Sequence, residues 1–379
     1  MLLNLTEDQE FFRETTDRFL NELVPPDAVR TLRHDETGFD RTYWRRGAEL
    51  GWTSLLVSEE HGGGTISGAG LVDLGLVAYA FGRHAAPGPL AGTNVVASTL
   101  STHGAAPDVL ASLLSGEGIA TWCVPVSGPD GWQATVEAEN DGADLVLHGE
   151  ARQVEAAGAA NHLLVTCGVG DGATTQVLVP TSAKGLSVTP MQTIDLTRRF
   201  SRVTFDDVRA SADAVVGAPA EGAPDVDRQF QVLLNLLNAE CVGAMQSGFD
   251  MTVEWAFDRY SFGRPLASYQ ALKHRFADMM SWLEASHAIS AAACTATQEG
   301  SHDAPELVSA AKAYIGQYGA ELLQDCVQLH GGIGVTFEHD LHLYLRRLIV
   351  DSALAGTPAD HRQRIAAMVT EREREGMAA

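Results

Sequence analysis

The hydrophobic period changes twice along this 379-residue chain, and that double switch limits the folds open to it. Over 1–117 the pattern is helical. In LTEDQEFFRETTDRFLNEL, Thr6 stands as an N-cap, and Phe11, Phe12, Phe19 and Leu20 recur at amphipathic spacing. LVDLGLVAYAFGRH and VLASLLSG read as further helices, with SEEHGGG (58–64) as a loop. Over 118–222 the period shortens. ATWCVPV, DLVLHG, HLLVTCGV, TQVLVPT and RVTFDDV are short apolar runs parted by Gly, Asp and Asn, which predicts strands of a compact β-domain. From 223 long helices return. Val242, Met245, Phe249, Val253 and Phe257 recur three or four apart, as do Leu272, Phe276, Met279 and Leu283. DAPE (303–306) reads as a capped start of a helix that runs to Leu329. The class is therefore α+β, with an N-terminal helical domain (1–117), a middle β-domain (118–222) and a C-terminal helical bundle (223–379).

Composition narrows the function. The formal net charge of -23 argues against nucleic acid, whose phosphates need a basic face. No apolar run approaches the roughly 20 residues that cross a bilayer. MLLNLTEDQEFF has no basic n-region, so no signal peptide is expected. The five cysteines, Cys123, Cys167, Cys241, Cys294 and Cys326, form no CxxC pair and predict neither disulfides nor zinc. A reducing, cytoplasmic setting is the expectation.

QLHGGIG (328–334) is the most glycine-rich motif inside the predicted bundle. It follows a helix, not a strand, so it is not the dinucleotide fingerprint of a βαβ unit. By itself it reads as a helix C-cap. RYSFGRPLASYQALKH (259–274) joins two long helices and by itself reads as a turn with Gly and Pro as breakers.

Together the two stretches resemble the acyl-CoA dehydrogenase family, which carries an Arg-x-x-Phe-Gly segment followed by Gln, then Gln-x-x-Gly-Gly-x-Gly at a later helix end. LTEDQEFFRE, ELGWTSLLVSEEHGGG and VTFDDV resemble its opening helix, its Gly-Trp signature (with Ser58 where proline is usual) and its closing strand, so the resemblance covers the whole chain. It implies that fold: helices, a small β-barrel or sandwich, and a four-helix bundle. It also implies FAD. Arg259 would pair with the pyrophosphate. Phe262, Gly263 and Gln270 would lie near the cofactor, and Gln328, Gly331 and Gly332 would admit its nucleotide half, all across a subunit interface. An acyl-CoA substrate and an electron-transfer flavoprotein as acceptor follow from the same resemblance.

The resemblance breaks at the catalytic base, the carboxylate that takes the substrate α-proton. Its common place, a Glu-Gly-Thr, reads Ala355, Gly356, Thr357. Its alternative place falls near Leu233 and Leu234. Glu240 lies two turns beyond Leu233, about 10 Å along a helix, and Asp351 one turn before Ala355; both are weak candidates. Arg346 and Arg347 read as a solvated helix face, or more sharply as a CoA or subunit contact. The family's Trp-Ile-Thr, which packs on the flavin ring, aligns with Gln153, Val154 and Glu155, where a carboxylate beside a ring that gains negative charge is unfavourable. TWCVPVSGPDG keeps little of the Thr-Glu-Pro-Gly segment.

The chain thus keeps residues that reach a neighbour's FAD and lacks those that hold its own flavin ring. The expectation is one subunit of a heteromeric acyl-CoA dehydrogenase, of the type found for steroid side chains, with a homologous subunit supplying the base. FGRPLASYQALKH and AGTPADHRQRIA resemble that branch. The alternative is a homo-oligomeric enzyme of this fold with another base or another reaction on an acyl thioester, such as hydroxylation, dehydration or desulfination. A non-catalytic homologue is the remaining reading. No pair among the 13 histidines predicts a metal site, and Cys241 reads as a packing residue.

Overall fold

The computed structural model describes residues 5–378 except Ala143 and Asp171. It opens with helices α1 (Glu7–Leu23), α2 (Pro26–Thr31), α3 (Arg41–Glu49), α4 (Gly70–His84), α5 (Leu90–His103) and α6 (Pro107–Leu114). Thr6 caps α1 in a full capping box: its hydroxyl accepts from the Gln9 amide, and the Gln9 side chain accepts from the Thr6 amide. Strands follow: β1 (Ala120–Cys123), β2 (Val126–Gly128), β3 (Gly131–Gln133), β4 (Val136–Asp141), β5 (Asp144–Glu155), β6 (His162–Val169), β7 (Ala173–Pro180), β8 (Leu186–Met191), β9 (Phe200–Ala210) and β10 (Val215–Val216). The long α7 (Ala223–Asp258) leads to a hairpin of β11 (Tyr260–Ser261) and β12 (Arg264–Pro265). Then come α8 (Gln270–Glu299), α9 (Ala304–His330), α10 (Leu341–Ala353) and α11 (Pro358–Ala378).

Packing divides the chain into two compact units that do not follow its linear order. One collects 1–29, 75–86 and 234–379; the other holds 30–74 and 87–233. Strands β10-β7-β6-β4-β5-β9-β8 form a mixed sheet in the second unit, with β1 added alongside β6. Most neighbours are antiparallel, but β1–β6 and β4–β6 are parallel. Inside this unit the Trp122 indole donates to Thr166, and the side-chain amides of Gln176 and Gln229 bond each other reciprocally at 2.7 and 2.8 Å. Gln229 also donates to the Thr99 hydroxyl, so these buried polar groups satisfy one another.

The first unit is helical. Glycines let α4 and α7 approach closely: a Cβ on Gly82 would lie 1.9 Å from the Glu240 carbonyl oxygen, and one on Gly243 would lie 2.1 Å from that of Tyr79. Leu322, Leu323 and Cys326 of α9 and Leu341 and Leu348 of α10 are fully buried in its core. The start of α9 departs from the sequence reading. Asp303 has helical backbone angles and makes no side-chain cap bond, and proline in the first turn supplies the preset φ instead.

Candidate active site

The expected cofactor contacts and the two candidate bases, Glu240 and Asp351, fall in the helical unit. Arg259 follows the last residue of α7, and Phe262 and Gly263 form the tip of the β11–β12 hairpin. Both tip residues have positive φ, 48° and 80°. Phe262 is 97% exposed, as expected of an apolar ring that packs against nothing in its own chain. Gln270 opens α8 and is exposed, donating to His274 at 3.3 Å. Gln328 is exposed on the last turn of α9, and Gly331 and Gly332 begin the short 3-10 turn beyond it.

The two glycines differ physically. Gly331 has φ 65° and ψ -139°, a conformation close to the glycine-only region. Gly332 has no positive φ, and a Cβ there would meet nothing within 4 Å. Nothing within the described residues therefore requires glycine at 332.

Trp255, which the sequence reading passed over, ties the stretches together through His330. Trp255, four residues before Arg259 on the same face of α7, stacks on His330 at 5.3 Å with the planes 20° apart. The Arg259 guanidinium lies 5.8 Å from the Trp255 ring centre, and His339 meets His330 edge-on at 4.5 Å. Arg259, Trp255, His330 and His339 thus run from the hairpin to the glycine turn. In the same two segments of the chain Phe257, Tyr260, Phe262, Ile333, Val335 and Phe337 expose large apolar side chains. The sequence signal was there: an aromatic residue one turn before Arg259 and a histidine directly before the glycines.

The candidate bases are placed differently. Glu240 is 1% exposed and accepts from Arg347 at 3.2 Å, and Arg347 is itself 1% exposed. Arg347 also donates to the carbonyls of Ala85 and Ala86, which close the end of α4. This corrects the reading of Arg347 as a solvated or CoA-facing side chain: α10 turns it inward, where only ionic and carbonyl partners make burial tolerable. Asp351 is fully buried one turn further along α10, and the buried Lys312 amine donates to its carbonyl. Leu233 and Leu234 are core residues. Ala355 adopts φ 58°, and its carbonyl accepts from His361 at 3.1 Å. Burial, with Arg364 and Lys312 nearby, pushes the His361 pKa down to about 4, so this donor is neutral.

In the other unit, Gln153 has φ 55° at an irregularity between Ala151 and Val154, and Val154 is buried. Glu155 is no open carboxylate. It pairs with the buried Arg198 at 2.5 Å, and the turn before Arg198 is tied by Asp195.

Set beside known proteins, residues 6–116 match the acyl-CoA dehydrogenase N-terminal domain and residues 221–370 the acyl-CoA dehydrogenase C-terminal domain. The chain belongs to the acyl-CoA dehydrogenase family, oxidoreductases acting on CH–CH donors, and has its α+β fold. It is 29% identical to the acyl-CoA dehydrogenase IpdE2 of Mycobacterium tuberculosis over 96% of this chain and 98% of that one. Among solved structures it is similar to a variant of the steroid acyl-CoA dehydrogenase Tcur3481-Tcur3483. That match has a TM-score of 0.87 and 27% identity, over 98% of this chain and 99% of that chain. The ChsE4-ChsE5 complex of M. tuberculosis matches with a TM-score of 0.86 and 25% identity, again over 98% and 99%. No helix among the described residues is long and apolar enough to cross a membrane, and no group of three or more potential ligands there could hold a metal.

Proposed function

We propose that this chain is the base-lacking subunit of a heteromeric, FAD-dependent acyl-CoA dehydrogenase that desaturates an acyl-CoA thioester. It completes the nucleotide end of the cofactor site of a homologous, base-bearing partner. The observation that carries this reading is a contrast within the helical unit. Glu240 and Asp351, the two candidate bases, are buried, whereas the Phe262 hairpin and the Gly331–Gly332 turn are open. Similarity to two-component steroid enzymes supports the heteromer and a steroid-derived acyl group.

The residues present fit the nucleotide end of FAD. Arg259 offers a guanidinium suited to a pyrophosphate. Gly331 and Gly332 leave room for close backbone approach, beside Gln328, Phe262, Gly263 and Gln270. They do not fit the ring end, where Val154 is core and Glu155 is closed by Arg198. When bound, FAD supplies the hydride acceptor. This chain's part is to bind and orient, and the proton acceptor belongs to the partner. An electron-transfer flavoprotein is the proposed acceptor and the cytoplasm the proposed location.

Flavin occupancy tests the reading. The chain purified alone should carry little FAD, and co-expression with the partner should give one FAD per pair. One FAD per chain in the isolated protein would overturn it in favour of a homo-oligomeric enzyme.

A further inference from the structure

In the unit that holds the sheet, an open cavity of about 230 Å³ lies where the start of β6, the end of β7 and the turn after β9 meet the α5–α6 link. His162 and Pro180 are cross-strand partners on β6 and β7, and Leu178 lies on the same face two residues before Pro180. Leu178, Val216, Ala105 and Ala106 make the walls apolar. Three polar side chains, His162, Ser211 and Asp213, line the same cavity.

None of these three side chains makes a hydrogen bond or ion pair among the described residues. Ser211 stands at the N-cap position of a 3-10 turn (Ala212–Ala214), yet its hydroxyl makes no cap bond. Burial holds the His162 pKa below its usual value, so the ring is neutral at pH 7 and carries one acceptor nitrogen. The Asp213 carboxylate and the Ser211 hydroxyl accept as well.

This set excludes most ligands. An anion would meet the Asp213 carboxylate, and Asp108 in the first turn of α6 already offsets the positive end of that helix. His162 and Asp213 are one ligand short of the three a protein metal site commonly supplies, and no group of three exists among the described residues. An ammonium on an aliphatic stem suits the cavity. Its three N–H groups match three acceptors, and its methylenes match the alanine, leucine and valine walls. The net charge of -23 favours approach of such a cation.

We propose that this cavity binds a primary alkylammonium group, the chemistry of a free alkylamine or of a lysine side chain. Asp213, Ser211 and His162 accept from the ammonium, while Leu178, Val216 and the Ala105–Ala106 link hold its stem. The candidate bases and the Arg259 and glycine-turn stretches lie in the other unit, so the site stands apart from the cofactor reading.

Thermal-shift titration of the full-length chain at pH 7 and fixed ionic strength tests this, with butylammonium chloride against butanol and sodium butyrate. Butylammonium should raise the melting temperature saturably, and the other two should not. Asp213→Asn and His162→Phe should each raise the half-saturating concentration about three- to tenfold. Asp213 is exposed, so without ligand its variant should melt as the wild type does. A blocked lysine, Nα-acetyl-lysine amide, separates the sources. Saturable stabilisation by it assigns a lysine side chain, and stabilisation by butylammonium alone assigns a free amine. Equal stabilisation by butanol, no saturable shift in the wild type, or an unchanged half-saturating concentration in Asp213→Asn would each overturn the site.

Discussion

Glu240 and Arg347 meet 3.2 Å apart in the interior of the helical unit, and Arg347 also closes the end of α4 through the Ala85 and Ala86 carbonyls. One buried pair thus joins α7, α10 and the last turn of α4. Removing one partner of such a pair strands the other charge. Glu240→Gln should therefore destabilise the chain by about 3–5 kcal/mol, measured by denaturant unfolding. Turnover of the folded complex should be largely unchanged. A collapse by several orders of magnitude in a variant that stays folded would identify Glu240 as a base.

The two turn glycines should separate fold from function. Gly331→Ala forces alanine into a glycine-favouring conformation and should cost about 1–3 kcal/mol. Gly332→Ala meets no atom and should change stability by no more than about 0.5 kcal/mol. If the turn cradles a cofactor shared with a partner, Gly332→Ala should still reduce flavin retention roughly tenfold, a loss of about 1.4 kcal/mol. Full retention would remove the reason for glycine at this position.

Acid should destabilise the helical unit through His361 and His287. Burial pushes both pKa values down to about 4 from the usual 6.5, with charges nearby adding to the effect. In the unfolded chain both rings take a proton near pH 6.5; in the fold they stay neutral until about pH 4. The unfolded state therefore binds more protons in this window, and stability falls as pH drops through it. Each group should contribute on the order of 2–3 kcal/mol to that loss. His361→Gln keeps a donor for the Ala355 carbonyl and should flatten the decline between pH 7 and pH 5. An unaltered urea-midpoint profile would refute the assignment.

Glu155 and Arg198 should behave as a coupled pair in the other unit. Arg198→Met alone should cost about 3–5 kcal/mol, whereas Glu155→Met with Arg198→Met should cost far less, because no buried charge is left without its partner. Additive losses in a double-mutant cycle would show that the two side chains act independently.

Local pattern alone located the elements. The Thr6 cap, the strand at His162–Val169 and the long helices from 223 follow from short-range periodicity and capping chemistry, which the chain carries within a few residues. The two stretches at 259–274 and 328–334 were legible for the same reason, since each is a continuous motif. The sequence also determined that neither expected base position carries a carboxylate, because Ala355, Leu233 and Leu234 are identities and need no coordinates.

Tertiary structure alone decided what the remaining charges do. Arg347 and Glu240 are 107 residues apart, and Glu155 and Arg198 are 43 apart. Nothing local distinguishes a buried charge from a solvated one on a polar helix face or a strand. Only the fold showed that Arg347 points inward, that Glu155 is neutralised, and that Trp255 joins the hairpin to the glycine turn. Burial and pairing depend on which distant elements pack together, and that is a property of the assembled chain, not of any segment within it.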